Sequence, residues 1–236
     1  MNTANNKKIK LYLDGPSIEQ INEDHKVQID GYTFNPSLFK KNGAKDYLEY
    51  SKKILHECND KPVSLEVFAD DEFNMIRQAK ILNKLGKNVY VKIPIVYTNG
   101  ESTFNVIENL CKENIKLNIT AIFLIDQIRK IIPLLKDTST ILSIFAGRIF
   151  DSGIDAKEKM IEINNYVHQN SSCLTLWAST RMAFDYIVAE KIETDIITMQ
   201  LDHLRKLKLF GTSPLEYSTN TVKQFYKDAK DSGFEI

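Results

Sequence analysis

The chain has 236 residues, 43% of them hydrophobic, enough to bury a sizeable core as one domain spanning residues 1–236. Thirty-one lysines and arginines balance thirty-one aspartates and glutamates, which excludes a general electrostatic pull toward nucleic acid or an anionic membrane surface. Three scattered cysteines (Cys58, Cys111, Cys173) and four separated histidines (His25, His56, His168, His203) offer neither a disulfide framework nor a metal-ligand spacing, so no metal is expected and a reducing cytoplasm fits best.

Residues 1–8 lack the apolar core of a signal peptide, and no later run approaches the roughly 18 apolar residues of a membrane span. A soluble protein is expected. Residues 9–14 read as a strand, followed by a helical pattern over 17–25 that opens on Ser17, a capping residue, with an acid close behind. A strand at 29–33 and a helix at 44–58 come next, then a strand at 63–69 and a helix at 71–85 that begins at Asp70-Asp71. The alternation continues with strands at 89–94, 117–123, 141–145, 173–178 and 196–199, separated by helical patterns at 101–113, 126–135, 157–169 and 181–189. Strands alternating with helices predict βα units on a parallel sheet. About eight units, in a chain near the roughly 250 residues usual for the fold, predict a closed (β/α)8 barrel rather than an open sheet, since closure removes both edges. A further helix at 217–231, with Val222, Phe225, Tyr226 and Ala229 along one side, follows the last unit.

Lys92 lies in the strand Val89-Tyr90-Val91-Lys92-Ile93-Pro94. An ammonium held against apolar side chains loses hydration, which leaves part of the population as a free amine able to attack a carbonyl. The plain alternative is a strand-end lysine whose stem lies on apolar surface while its head reaches water. In such a barrel the chemistry sits where strands end. The polar residues at those ends are Asp14; Thr33 and Asn35; Ser64 and Glu66; Lys92; Asn118 and Thr120; Ser143 and Arg148; and Ser179 and Arg181. Taken singly, each has an ordinary role: Asp14 as a helix cap, Asn35 as the holder of an Asn-Pro turn, Thr120 as a β-branched strand residue. Converging on one mouth, a lysine, two carboxylates and several hydroxyls and amides are costly to bury unless they pair with one another or with a ligand.

The motifs YLD at 12–14, TFNPSL at 33–38, VSLEV at 63–67, VKIP at 91–94, NITAIF at 118–123, SIFAGRIFD at 143–151 and WASTR at 177–181 together resemble the transaldolase family, which includes the fructose-6-phosphate aldolases, class I aldolases on a TIM barrel. The resemblance covers nearly the whole chain. It implies that Lys92 forms the Schiff base and that Asp14 moves the proton of the C4 hydroxyl. It assigns Glu66 to acid/base work with a water held by Thr120. It makes Asn35 and Ser143 contacts to the donor, and Arg148, Ser179 and Arg181 the phosphate holders, with Thr33, Asn118 and Phe145 also lining the substrate site. It further implies sugar phosphate substrates, no cofactor, and rings formed through the C-terminal helix; a homo-oligomer joined there and a helix whose aromatics cover the barrel's own helices both stay open. Glu66 and Phe145 stand where transaldolases carry glutamate and phenylalanine and the aldolases that release free dihydroxyacetone carry glutamine and tyrosine, which favours transfer over release. A barrel that binds sugar phosphate without turning it over is the third reading. Gly15-Pro16, Phe34 and the run Ile95-Val96-Tyr97 depart from the family pattern around the expected substrate mouth.

Overall fold

The computed structural model describes residues 9–135 and 137–236. The N-terminal octapeptide, read above for its lack of an apolar core, lies outside the described residues. Eight parallel strands hydrogen-bond in sequence order and close on themselves: β1 Lys10–Asp14, β2 Gly31–Thr33, β3 Val63–Glu66, β4 Val89–Pro94, β5 Leu117–Ile122, β6 Ile141–Ile144, β7 Leu174–Trp177 and β8 Ile196–Met199. The expected (β/α)8 barrel is the fold. Each strand is followed by helix: α1 Ile18–Ile21 after β1, α2 Pro36–Lys41 and α3 Tyr47–Glu57 after β2, α4 Glu72–Asn83 after β3, α5 Phe104–Lys112 after β4 and α6 Ile125–Leu135 after β5. α7 Ala146–Asp151 and α8 Ala156–Asn170 follow β6, α9 Asp185–Lys191 follows β7, and α10 Leu201–Lys206, a 3-10 turn at Leu207–Leu209 and α11 Pro214–Ser232 follow β8.

Local chemistry fixes the helix starts. Ser17 closes a capping box on α1, but with Gln20 rather than the acid that follows it. Asn35 caps α2 with Pro36 at the first helical position, and Asp46, Asp71 and Asp155 cap α3, α4 and α8. Asp70 is not the cap of α4; it accepts from the Thr98 backbone amide at 2.8 Å. The helix expected at 181–189 begins only at Asp185, because the Asp185 carboxylate accepts from the Arg181 and Met182 amides and holds that stretch as a turn.

The core is the strand residues and the inward stripes of the helices, with Leu13, Leu65, Val91, Ile93, Leu117, Ile119 and Trp177 fully buried. Close packing requires glycine at position 31. A Cβ at Gly31 would lie 2.5 Å from the Tyr12 ring, which pairs with it across β1 and β2. By its own contacts the chain divides into two compact units, with the division between Leu204 and Arg205. The barrel is the first. In the second, α11 is capped by Ser213 and ended by Gly233 in the left-handed conformation, and none of its residues is buried. No helix among the described residues is long and apolar enough to cross a membrane.

Candidate active site

Strand register brings the polar residues into rows. Asp14 pairs with Thr33 and Thr33 with Ser64; one row further on, Glu66 pairs with Lys92 and Lys92 with Asn118. Paired residues of a parallel sheet present their side chains on the same face, so these rows turn one set of side chains into the barrel mouth. There a cavity of about 210 Å³ is lined by Asp14, Thr33, Asn35, Lys92, Ser143, Phe145, Arg148, Ser179 and Arg181, all expected from sequence. Ser37, Leu38, Thr180, Thr198 and Gln200 also line it and were not anticipated.

Lys92 is buried, with 5% of its surface exposed, and its Nζ lies 3.0 Å from Glu66 Oε2. The amine thus lies inside the barrel mouth, where it lines the cavity, rather than at an exposed strand end. Glu66 does not line the cavity itself; it stands beside it, bonded to the lysine that does. Its backbone is bracketed by Tyr47 of α3, whose hydroxyl donates to the Glu66 carbonyl at 2.8 Å and accepts from its amide at 3.0 Å. Tyr47 was not anticipated, because nothing in a helix pattern tells which exposed-looking hydroxyl will clamp a neighbouring strand.

Asp14 does not cap a helix. Its Oδ1 accepts from Thr33 Oγ1 at 2.7 Å, and the Thr33 oxygen lies 2.6 Å from Thr198 Oγ1. Burial pushes the Asp14 carboxyl above the ordinary range; the Lys92 charge and the Thr33 hydrogen bond pull it back down, and the Glu66 charge pushes it up again. Asn35 combines both roles considered for it. Its Oδ1 accepts from Leu38 N at 2.9 Å to start α2, and the residue also faces the cavity.

A second network holds the far wall. Ser143 Oγ donates to Asn118 Oδ1 at 2.7 Å, and Asn118 Nδ2 donates to Ser64 Oγ at 2.9 Å. Asn118 is fully buried behind the cavity and meets it through Ser143. Thr120 pairs with Pro94, two residues beyond Lys92; its hydroxyl is buried and has no hydrogen-bond partner among the described residues. A buried hydroxyl without a partner costs free energy, and a water or a reacting group beside it removes that cost.

The cationic side of the cavity is built by a close backbone approach. Gly147 lies so near the loop after β7 that a Cβ there would be 1.6 Å from the Ser179 carbonyl oxygen. Ser179 itself is held at φ +65°, a conformation that costs a non-glycine residue about 1–2 kcal/mol. This contact sets Arg148, the next residue after Gly147, beside Ser179 and Arg181. Arg181 Nη1 donates to the Ser179 carbonyl at 3.0 Å and to its hydroxyl at 3.1 Å, while Nε donates to Asp151 Oδ1 at 2.9 Å and Nη2 bonds the same carboxylate. The Arg148 guanidinium lies over the Phe145 ring, 5.2 Å from its centroid. Two guanidinium groups and a hydroxyl thus stand at one end of the cavity, the Arg181 group already engaged by Asp151 and Ser179.

Fold and site together define the class: a closed parallel barrel whose C-terminal mouth holds a buried lysine bonded to one carboxylate and facing another. The family described as Transaldolase/Fructose-6-phosphate aldolase matches residues 11–236, and the chain belongs to it. Among its relatives, a protein named probable transaldolase from Methanococcus maripaludis (strain C7) is 36% identical over 222 residues, covering 93% of this chain and 97% of that protein. Another of the same name, from Thermoanaerobacter sp. (strain X514), is 32% identical over 97% of this chain and 100% of its own length. Among solved structures, thiamine phosphate pyrophosphorylase from Pyrococcus furiosus superposes with a TM-score of 0.58 at 12% identity, covering 86% of this chain and 95% of that one. A structure titled native KDPGal gives 0.54 at 7% identity, covering 84% of each chain. These last two likenesses bear on the fold alone.

Proposed function

We propose that the protein is a transaldolase that moves a three-carbon dihydroxyacetone unit from a ketose phosphate to an aldose phosphate through a Schiff base on Lys92. One observation carries this reading: the buried Lys92 amine, 3.0 Å from the Glu66 carboxylate, lines the same cavity as Asp14. Lys92 hands a proton to Glu66 and attacks the C2 carbonyl of the donor. Glu66, with a water held at the Thr120 hydroxyl, returns protons to the carbinolamine oxygen so that water leaves and an iminium forms. Asp14 then takes the proton of the C4 hydroxyl. The C3–C4 bond electrons flow into the iminium, C4 leaves as the aldehyde carbon of an aldose phosphate, and the enamine stays on Lys92. A second aldose phosphate enters, the enamine attacks its aldehyde carbon, Asp14 gives its proton to the new hydroxyl, and hydrolysis frees Lys92.

The iminium is itself the electron sink, so this chemistry calls on no cofactor. Arg148, Ser179 and Arg181 hold the phosphate, and Asn35 and Ser143 contact the donor. The family motif supports fructose 6-phosphate and sedoheptulose 7-phosphate as donors, with erythrose 4-phosphate and glyceraldehyde 3-phosphate as acceptors, the exchange of the pentose phosphate pathway in the cytoplasm. Phe145 supports transfer over release of free dihydroxyacetone, because it brings no hydroxyl to the enamine. The exposed apolar side chains of α11 support assembly of the chain with copies of itself.

Borohydride reduction in the presence of fructose 6-phosphate tests the reading. A mass adduct on Lys92 is expected, together with acceptor-dependent formation of sedoheptulose 7-phosphate when erythrose 4-phosphate is added. Lys92→Met should lose both. An adduct that persists in Lys92→Met would sink the assignment, and free dihydroxyacetone as the main product would replace transfer by simple aldol cleavage.

A further inference from the structure

Asp14 divides its two oxygens. Oδ1 is tied to Thr33, whereas Oδ2 has no hydrogen bond among the described residues and stands open to the cavity. Each hydroxyl carries a single proton. If Thr33 gives its proton to the Asp14 carboxylate, then the 2.6 Å contact between Thr33 and Thr198 must be made with the Thr198 proton. Among the described residues the Thr198 hydroxyl bonds Thr33 alone, and both threonines are buried. The hydroxyls therefore form a directed chain from β8 through β2 to the carboxylate on β1, in which each bond polarises the next.

We propose that Thr198 is a positioning residue for Asp14, whose hydroxyl keeps the Thr33 proton aimed at Oδ1 and so holds the carboxylate ionised and its Oδ2 free to take the substrate proton. The inference rests on the reading above, in which Asp14 is the base that opens the C3–C4 bond. In that step the O–H bond of the C4 hydroxyl breaks, its proton goes to Oδ2, the O–H electrons form the aldehyde C=O, and the C3–C4 pair enters the iminium. Burial and the Glu66 charge both favour a protonated Asp14, so the basic form needs compensation. Lys92 on β4 supplies part of it by charge, and Arg148 and Arg181 from the loops after β6 and β7 line the same cavity. β2 and β8 face Asp14 with uncharged groups, Thr33, Asn35, Thr198 and Gln200. The hydroxyl chain is their contribution.

Thr198→Val keeps the side-chain shape and removes the donor; Thr198→Ala removes it in a second way, and Thr198→Ser restores it. For both Thr198→Val and Thr198→Ala, kcat for transfer should fall about 3- to 10-fold near neutral pH, the worth of one net hydrogen bond. The acidic limb of the pH–rate profile should move to higher pH, since Asp14 then keeps its proton longer. Thr198→Ser should bring both rate and limb back, and borohydride trapping on Lys92 should proceed as in the wild type in all three, because Asp14 acts after the iminium has formed. An acidic limb unmoved in either hydroxyl-free variant, or a failure of Thr198→Ser to restore it, overturns this proposal while leaving the Lys92 chemistry intact. A wild-type chain that neither traps nor transfers overturns the transaldolase reading and this proposal with it.

Discussion

Asp14 shows at the scale of one residue how the site trades stability for function. Its carboxyl lies above the ordinary range because of burial, so the folded protein holds that proton more tightly than the unfolded chain does. For such a group the contribution to stability is fully present below the unfolded value and is lost as pH rises through the folded one. At neutral pH the ionised Asp14 is thus a cost. Asp14→Asn, which can still accept from Thr33, should therefore raise Tm at pH 7. The gain should vanish below about pH 4, the unfolded value of an aspartate, and transfer activity should be lost at every pH. Calorimetry across that range decides it, and a gain that does not depend on pH would mean that burial of the charge is not the cause. The sequence showed Asp14, Glu66 and Lys92 because each is a charged residue within or at the end of an apolar strand. Thr198 and Tyr47 gave no such signal. A threonine in a strand and a tyrosine in a helix are what those elements ordinarily contain, and their bonds are set by register and inter-element packing.

Among elements, legibility followed length and period. β4 and β8 have the bounds that the apolar pattern gave them, whereas β3 stops at Glu66, short of the expected residue 69, where the chain leaves the barrel. The short helices α2, α7 and α10, six residues each, were not anticipated, because fewer than two turns cannot display a 3.6-residue period. Two of them carry the site: α2 is capped by Asn35, and α7 holds Gly147 and Arg148. The approach of α7 to the loop after β7 depends on Gly147 having no side chain. Gly147→Ala should force the two segments apart, at a cost of about 1–3 kcal/mol as for overpacking elsewhere. Because Arg148 and Arg181 separate with them, KM for a sugar phosphate should rise more than kcat falls. Urea unfolding and steady-state kinetics on the same preparation check both halves, and an unchanged midpoint would mean that the glycine is not what brings the loops together.

For the whole molecule, the alternation of strand and helix pointed to closure, since about eight βα units match the usual barrel and closure removes both edges. What the alternation did not carry is the division after Leu204. The last helix reads like the others, with an apolar side and good caps, yet Leu215, Val222, Phe225 and Tyr226 are each more than half exposed. Side chains of this size are seldom left to water along one helix unless another surface meets them. The assembly proposed above would meet them with a second copy of the chain, bearing the same helix, under closed symmetry. Light scattering on the wild-type chain should therefore give a multiple of the 27.1 kDa monomer mass. The pair Val222→Asp and Phe225→Asp should shift it toward the monomer without loss of the barrel's circular-dichroism signal. A wild-type protein that scatters as a monomer at micromolar concentration would remove assembly from the account, and the exposed side of α11 would then need another partner.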